Sequence, residues 1–120
     1  MPNALKAIFS DAKLLKSVVE VVKKLILLKI DFRILTSIKV GFMKEMISKK
    51  KELSSSVPLD DFRTYMSNYH SSLSKQAEDL LVSSIMDETK QNVSFVKLTR
   101  LVDFYNYYPV TVKRDKNQSH

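Results

Sequence analysis

At 120 residues, 44% of them hydrophobic and 28% charged, the chain has the size and composition of one soluble globular domain with a core of its own. A single glycine argues against strand-rich folds and phosphate-cradling loops, which need positive φ at several places, so an all-α fold is expected, with turns built from Ser, Asn and Asp. The lack of cysteine excludes disulfides, thiolate chemistry and Cys-based metal sites and fits an intracellular protein, while the net charge of +7 admits nucleic acid, an anionic surface or an acidic protein as partner.

Met1 to Lys6 has neither an uninterrupted apolar core nor a small-residue cleavage site, so no secretory signal is expected. Leu5, Ile8, Ala12, Leu15, Val19, Val22 and Ile26 recur at alternating spacings of 3 and 4, which predicts one helix over residues 4–28, capped by Asn3. Such a seam suits packing on the domain itself, or self-association through the N-terminal helix. The greasiest window, Val18 to Leu35, carries Glu20, Lys23, Lys24, Lys29, Asp31 and Arg33, which excludes a membrane span.

Residues 25–35 read two ways. Ile30, Phe32 and Ile34 alternate with charged residues as a strand would, whereas Ile30, Ile34, Ile38 and Phe42 share a helical face. The helical reading places a break near Lys29 to Asp31. Lys49-Lys50-Lys51 and Ser54-Ser55-Ser56 then form a loop. Pro58 suits the first turn of the next helix and Asp60 and Asp61 its positive end; that helix is expected to bury Phe62, Tyr65, Met66 and Tyr69. Ser71 to Ser74 caps a further helix carrying Ala77, Leu80, Leu81, Ser84 and Ile85. A second polar loop, Asp87 to Asn92, precedes a last helix over 94–107, with Phe95, Leu98, Leu101, Val102 and Tyr105. Pro109 is expected to end it, leaving 110–120 as a disordered basic tail. The domain is thus 1–109: an N-terminal helical segment, 1–37, followed by paired helix–loop–helix units, 38–108.

The pairing rests on an internal repeat. Val57-Pro58-Leu59-Asp60-Asp61-Phe62 and Val93-Ser94-Phe95-Val96-Lys97-Leu98 each place a charged residue four after a valine, then a large apolar one, 36 residues apart. Asn92 to Leu98 resembles the second half of an EF-hand loop, and residues 38–108 resemble a degenerate pair of EF-hands of the calmodulin-like or light-chain-like kind. The resemblance implies that Val57 and Val93 pair in a short strand between the loops, and that Val82 and Ile85 are the large apolar residues of an entering helix. It does not extend to calcium. Loop positions 1, 3, 5, 9 and 12 fall on Met86, Glu88, Lys90, Ser94 and Lys97, with Gln91 where glycine is usual, and in the first loop on Lys50, Glu52, Ser54, Pro58 and Asp61. Two lysines inside a cage repel a divalent cation, so neither loop is expected to bind calcium and no cofactor is expected.

What the resemblance implies instead is an apolar groove that holds an amphipathic helix of a larger partner, lined by Phe62, Met66, Leu81, Ile85, Leu98, Leu101 and Tyr105. The N-terminal helix is itself an occupant for that cleft. Catalysis is not expected: His120 lies at the terminus, His70 has no acid or nucleophile at a recognisable spacing, and Asp60-Asp61 and Glu78-Asp79 lie near helix starts, where capping accounts for them. The alternative is a basic helical nucleic-acid-binding protein, using Tyr107, Tyr108, Lys113, Arg114 and Lys116. The reading the sequence favours is a non-catalytic adaptor or regulatory subunit.

Overall fold

The apolar seam that opens the chain is carried on two helices rather than one. A computed structural model describes residues 3–49 and 56–118, with side chains placed over 5–49 and 56–108. Helices α1 (Asn3–Phe9) and α2 (Ala12–Leu27) are separated by Ser10 and Asp11. Asp11 is extended, and its Oδ1 accepts from the Lys13 and Leu14 amides at 3.1 Å each. It is therefore the N-cap of a second helix, while Ser10 Oγ donates to the Lys6 and Ala7 carbonyls and closes the first. The expected continuous helix over 4–28 is corrected on this ground: a capping side chain satisfies the orphan amides and makes a break inexpensive.

The break near Lys29 is where the spacing placed it. Lys29 adopts φ 64, the Ile30 amide reaches back to the Leu25 carbonyl at 2.9 Å, and the Lys29 amide bonds the Ile26 carbonyl at 3.1 Å. This is a Schellman closure with lysine in the left-handed position that glycine usually takes, and Ile30 and Leu25 are both buried. Asp31 then caps α3 (Phe32–Ser48), its Oδ1 accepting from the Ile34 amide at 2.8 Å. The strand alternative for 25–35 is excluded. Leu35, Ile38, Phe42 and Met46 are buried at spacings of 3 and 4, as one face of a helix.

Strand β1 (Ser56–Pro58) leads into α4 (Leu59–Tyr69); α5 (Lys75–Ile85) is followed by β2 (Asn92–Ser94) and α6 (Phe95–Gln118). The two strands pair antiparallel, with Val57 opposite Val93, and both valines are buried. Two helix–loop–helix units result, α3–β1–α4 and α5–β2–α6, joined at their loops in an all-α fold. Pro58 sits at the cap position just before α4, and Asp60 and Asp61 lie in its first turn. Ser74 Oγ accepts from the Ala77 amide at 3.1 Å and starts α5. Phe42 is the meeting point of the units: its ring centroid lies 5.0 Å from Phe62, 5.3 Å from Tyr65 and 5.2 Å from Phe95, joining α3, α4 and α6.

Two expectations are corrected here. Tyr69, at the last position of α4, is 60% exposed and lines an open pocket with Glu45 instead of entering the core. The last helix does not stop at Pro109: α6 continues to Gln118, so the expected tail over 110–118 is helical backbone. Proline withdraws one donor and crowds the carbonyl four residues back, which bends a helix without obliging it to end.

Candidate helix-binding site

The seven residues expected to line a groove are brought together, but inside the core. Phe62, Met66, Leu81 and Ile85 are fully buried, as are Leu98, Leu101 and Tyr105 to within 4%. The expected open groove is corrected accordingly: α1 and α2 pack against α6, and α2 also against α5, bringing Leu5, Ile8, Val22 and Leu25 into the same apolar cluster. Burying each of these side chains stabilises by about 1.5–3 kcal/mol. The outer face of α2 carries Lys13, Lys16, Lys23 and Lys24, all exposed. Leu14, Leu15, Val18, Val19 and Val21 are covered only in part. The Tyr105 hydroxyl donates to the Ile30 carbonyl at the α2–α3 turn, tying that corner to α6. Burial pushes this hydroxyl above the usual tyrosine range, and Asp31 adds to the effect.

The second loop closes on itself. The Asp87 amide donates to the Asn92 carbonyl at 2.9 Å, and Met86 bridges Val93 beside the ladder. Asp87 Oδ1 accepts from the Thr89 amide at 3.1 Å and from Thr89 Oγ1 at 2.6 Å. These bonds, chiefly the one from the Thr89 hydroxyl, hold its carboxyl below the ordinary aspartate range. Lys90 takes the positive φ of the turn, 61°. The Lys97 ammonium donates to the Met86 carbonyl at 2.8 Å. Among the described residues no group of three His, Asp or Glu is placed to hold a metal ion. In the first loop Lys50, Glu52 and Ser54 lie outside the described residues, and Pro58 is exposed.

No family model, curated protein or solved structure matches the chain.

The residues weighed for chemistry are held by other tasks. Arg63 on α4 donates to Glu78 at 2.6 Å and Asp79 at 3.2 Å, so the acidic pair at the start of α5 clamps α4 to α5, a bond of a few tenths to about 1 kcal/mol at such exposure. His70 meets the Tyr65 hydroxyl through Nε2 at 2.8 Å. Burial lowers the histidine pKa below its usual value and raises that of Tyr65 to about 12. These two line an open pocket of about 440 Å³ with Ser37, Gly41, Lys44, Glu45, Ser48 and Tyr69. His120 lies outside the described residues. Of the nucleic-acid candidates, Tyr107 packs edge-on to Phe9 and Tyr108 stacks on Phe104, so both rings are engaged within the chain. The side chains of Lys113, Arg114 and Lys116 lie outside the described ones. No described helix is long and apolar enough to cross a membrane.

Sequence reasoning missed the partner of the lone glycine. A β-carbon on Gly41 would stand 2.1 Å from the Tyr65 hydroxyl, so α3 needs glycine there to let α4 approach. A single glycine in the middle of an apolar helical pattern was the available signal, since such a residue usually marks close approach.

Proposed function

We propose that the chain is a non-catalytic helix-binding module, an adaptor or regulatory subunit, whose own N-terminal helices occupy the place of a partner helix. The observation that carries this reading is the seating of α2 on α5 and α6 through Val22 and Leu25, with its lysines turned outward. Paired helix–loop–helix units that present an apolar face take up an amphipathic helix in this manner. The resemblance to paired EF-hands is supported by the Val57–Val93 pairing and by the order of helices around it. The partner is a protein, and the segment it contributes is a helix with apolar residues at the 3–4 spacing of α2. The cysteine-free composition supports an intracellular, cytoplasmic setting.

A labelled peptide of residues 11–28, titrated into the full chain by fluorescence anisotropy, tests the reading. Leu25→Ala weakens the covalently attached occupant by about 2–5 kcal/mol while the peptide keeps its leucine. The variant is therefore expected to bind the peptide roughly thirtyfold or more tightly than the parent chain. Binding should persist as salt is raised, whereas a phosphate-contacting protein loses nucleic acid steeply under the same change. Absence of peptide binding by a variant that keeps its helical circular dichroism would sink the proposal.

A further inference from the structure

Lys97 lies in the first turn of α6, and its side chain turns back across the second loop to reach the residue that follows the unit's other helix. The acceptor, the Met86 carbonyl, belongs to the C-cap of α5. Helix C-termini carry partial negative charge and unsatisfied carbonyls, so this is a place where a cation is stabilised on two counts. The position is partly buried, which strengthens a charge-assisted hydrogen bond relative to one in open water. The same few residues close the loop by three further links: the Asp87 amide to Asn92, the Met86–Val93 bridge and the Asp87–Thr89 bonds. On the paired-unit reading proposed above, Met86 and Lys97 are the first and last positions of the loop. These are the positions between which an oxygen cage would grip a divalent cation, the last through a glutamate.

We propose that the Lys97 ammonium is the second loop's built-in cation, joining the end of α5 to the start of α6 as a bound divalent ion otherwise would. The chemistry is consistent in sign and in stoichiometry. One ammonium satisfies one carbonyl, and the neighbouring carboxylate, Asp87, accepts from the Thr89 amide and hydroxyl. Placing an oxygen ligand at the last loop position would require replacing Lys97 and giving up its bond to the Met86 carbonyl. The consequence is regulatory: the unit is fixed in one arrangement, and uptake of a partner helix is not gated by calcium or magnesium.

The test uses the full chain and its Lys97→Met and Lys97→Arg variants, followed by amide hydrogen exchange and by amide spectra during a calcium titration. In Lys97→Met the Asp87 amide is expected to exchange about tenfold faster than in the parent, with α3 amides such as Ile38 unchanged. Lys97→Arg, which keeps a cationic donor, stays near the parent. The parent's loop amides do not move as calcium rises to about 10 mM, beyond the weakest protein sites. Equal Asp87 exchange in the Met and Arg variants, or a saturable calcium shift confined to residues 86–97 of the parent, overturns the proposal. Neither readout involves a bound helix, so failure here is distinguishable from failure of the peptide titration.

Discussion

Replacing Gly41 by alanine tests whether the approach of α3 and α4 is set by one hydroxyl. In an exposed helix the change would stabilise by about 1 kcal/mol through propensity alone. Here the new β-carbon would stand 2.1 Å from Tyr65 Oη and 3.2 Å from Cζ, in a side chain only 3% exposed. Relieving that overlap requires Tyr65 to shift, loosening its contacts with Phe42 and its bond to His70, an overpacking cost of about 1–3 kcal/mol. Gly41→Ala is thus expected to destabilise by about 0–2 kcal/mol net. Tyr65→Phe removes the clashing oxygen at a cost of about 1–2 kcal/mol for the lost hydrogen bonds to His70 and to the Ser37 carbonyl. In that background the alanine meets only the ring carbon, a contact that a shift of a few tenths of an ångström relieves, and the substitution becomes neutral or stabilising. Urea unfolding of the four chains, followed by far-ultraviolet circular dichroism, gives the cycle. A coupling of about 1–2 kcal/mol is expected, with the double variant more stable than the sum of the singles predicts. Additivity within about 0.3 kcal/mol would refute the argument, because the hydroxyl would not then be what the glycine accommodates.

Two further outcomes follow from local geometry. Lys29→Gly relieves a non-glycine residue held at φ 64, a strain of about 1 kcal/mol, part of which is returned by the freer unfolded chain; a net gain of about 0.5 kcal/mol, some 2–3 °C in Tm, is expected by calorimetry. His70 is held below its ordinary pKa by burial, so the neutral ring is favoured in the folded chain and the unfolded chain binds more protons just below pH 6.5. Its contribution is therefore present above about pH 6.5 and lost as pH falls through the folded pKa, and the decline in urea midpoint across that window should flatten in His70→Gln. The carboxyl of Asp87, also held low, acts only further down, below its ordinary value of 3.8.

Much of the fold was legible because its signals are periodic or chemical. The 3–4 spacing fits α3, α4, α5 and the start of α6, the Ser71 to Ser74 turn marks the cap of α5, and the pairing of Val57 with Val93 was implied by the EF-hand resemblance. The misreadings share a physical cause, which is that local capping and long-range contact carry no periodicity. Asp11 divides a seam that stays apolar on both sides, and Pro109 sits inside a helix that continues. Tyr69 follows the α4 pattern yet turns outward to Glu45. Phe62, Met66, Leu81, Ile85, Leu98, Leu101 and Tyr105 are all buried in the one apolar core. That α1 and α2 cover the set depends on tertiary packing between segments far apart in the chain, which a pattern read along the sequence does not resolve.

On the proposed function, α2 is an exchangeable occupant of the site. Native-state hydrogen exchange on the full chain tests this most directly, comparing the amides of Val22 and Leu25 in α2 with those of Phe42 in α3 and Leu101 in α6. The account predicts that α2 opens at a lower free energy than α3 and α6, and that Leu25→Ala speeds exchange in α1 and α2 while leaving α3 protected. Exchange of all four amides at one common rate, in the parent and the variant alike, would contradict it, because the N-terminal helices would then be an inseparable part of the core.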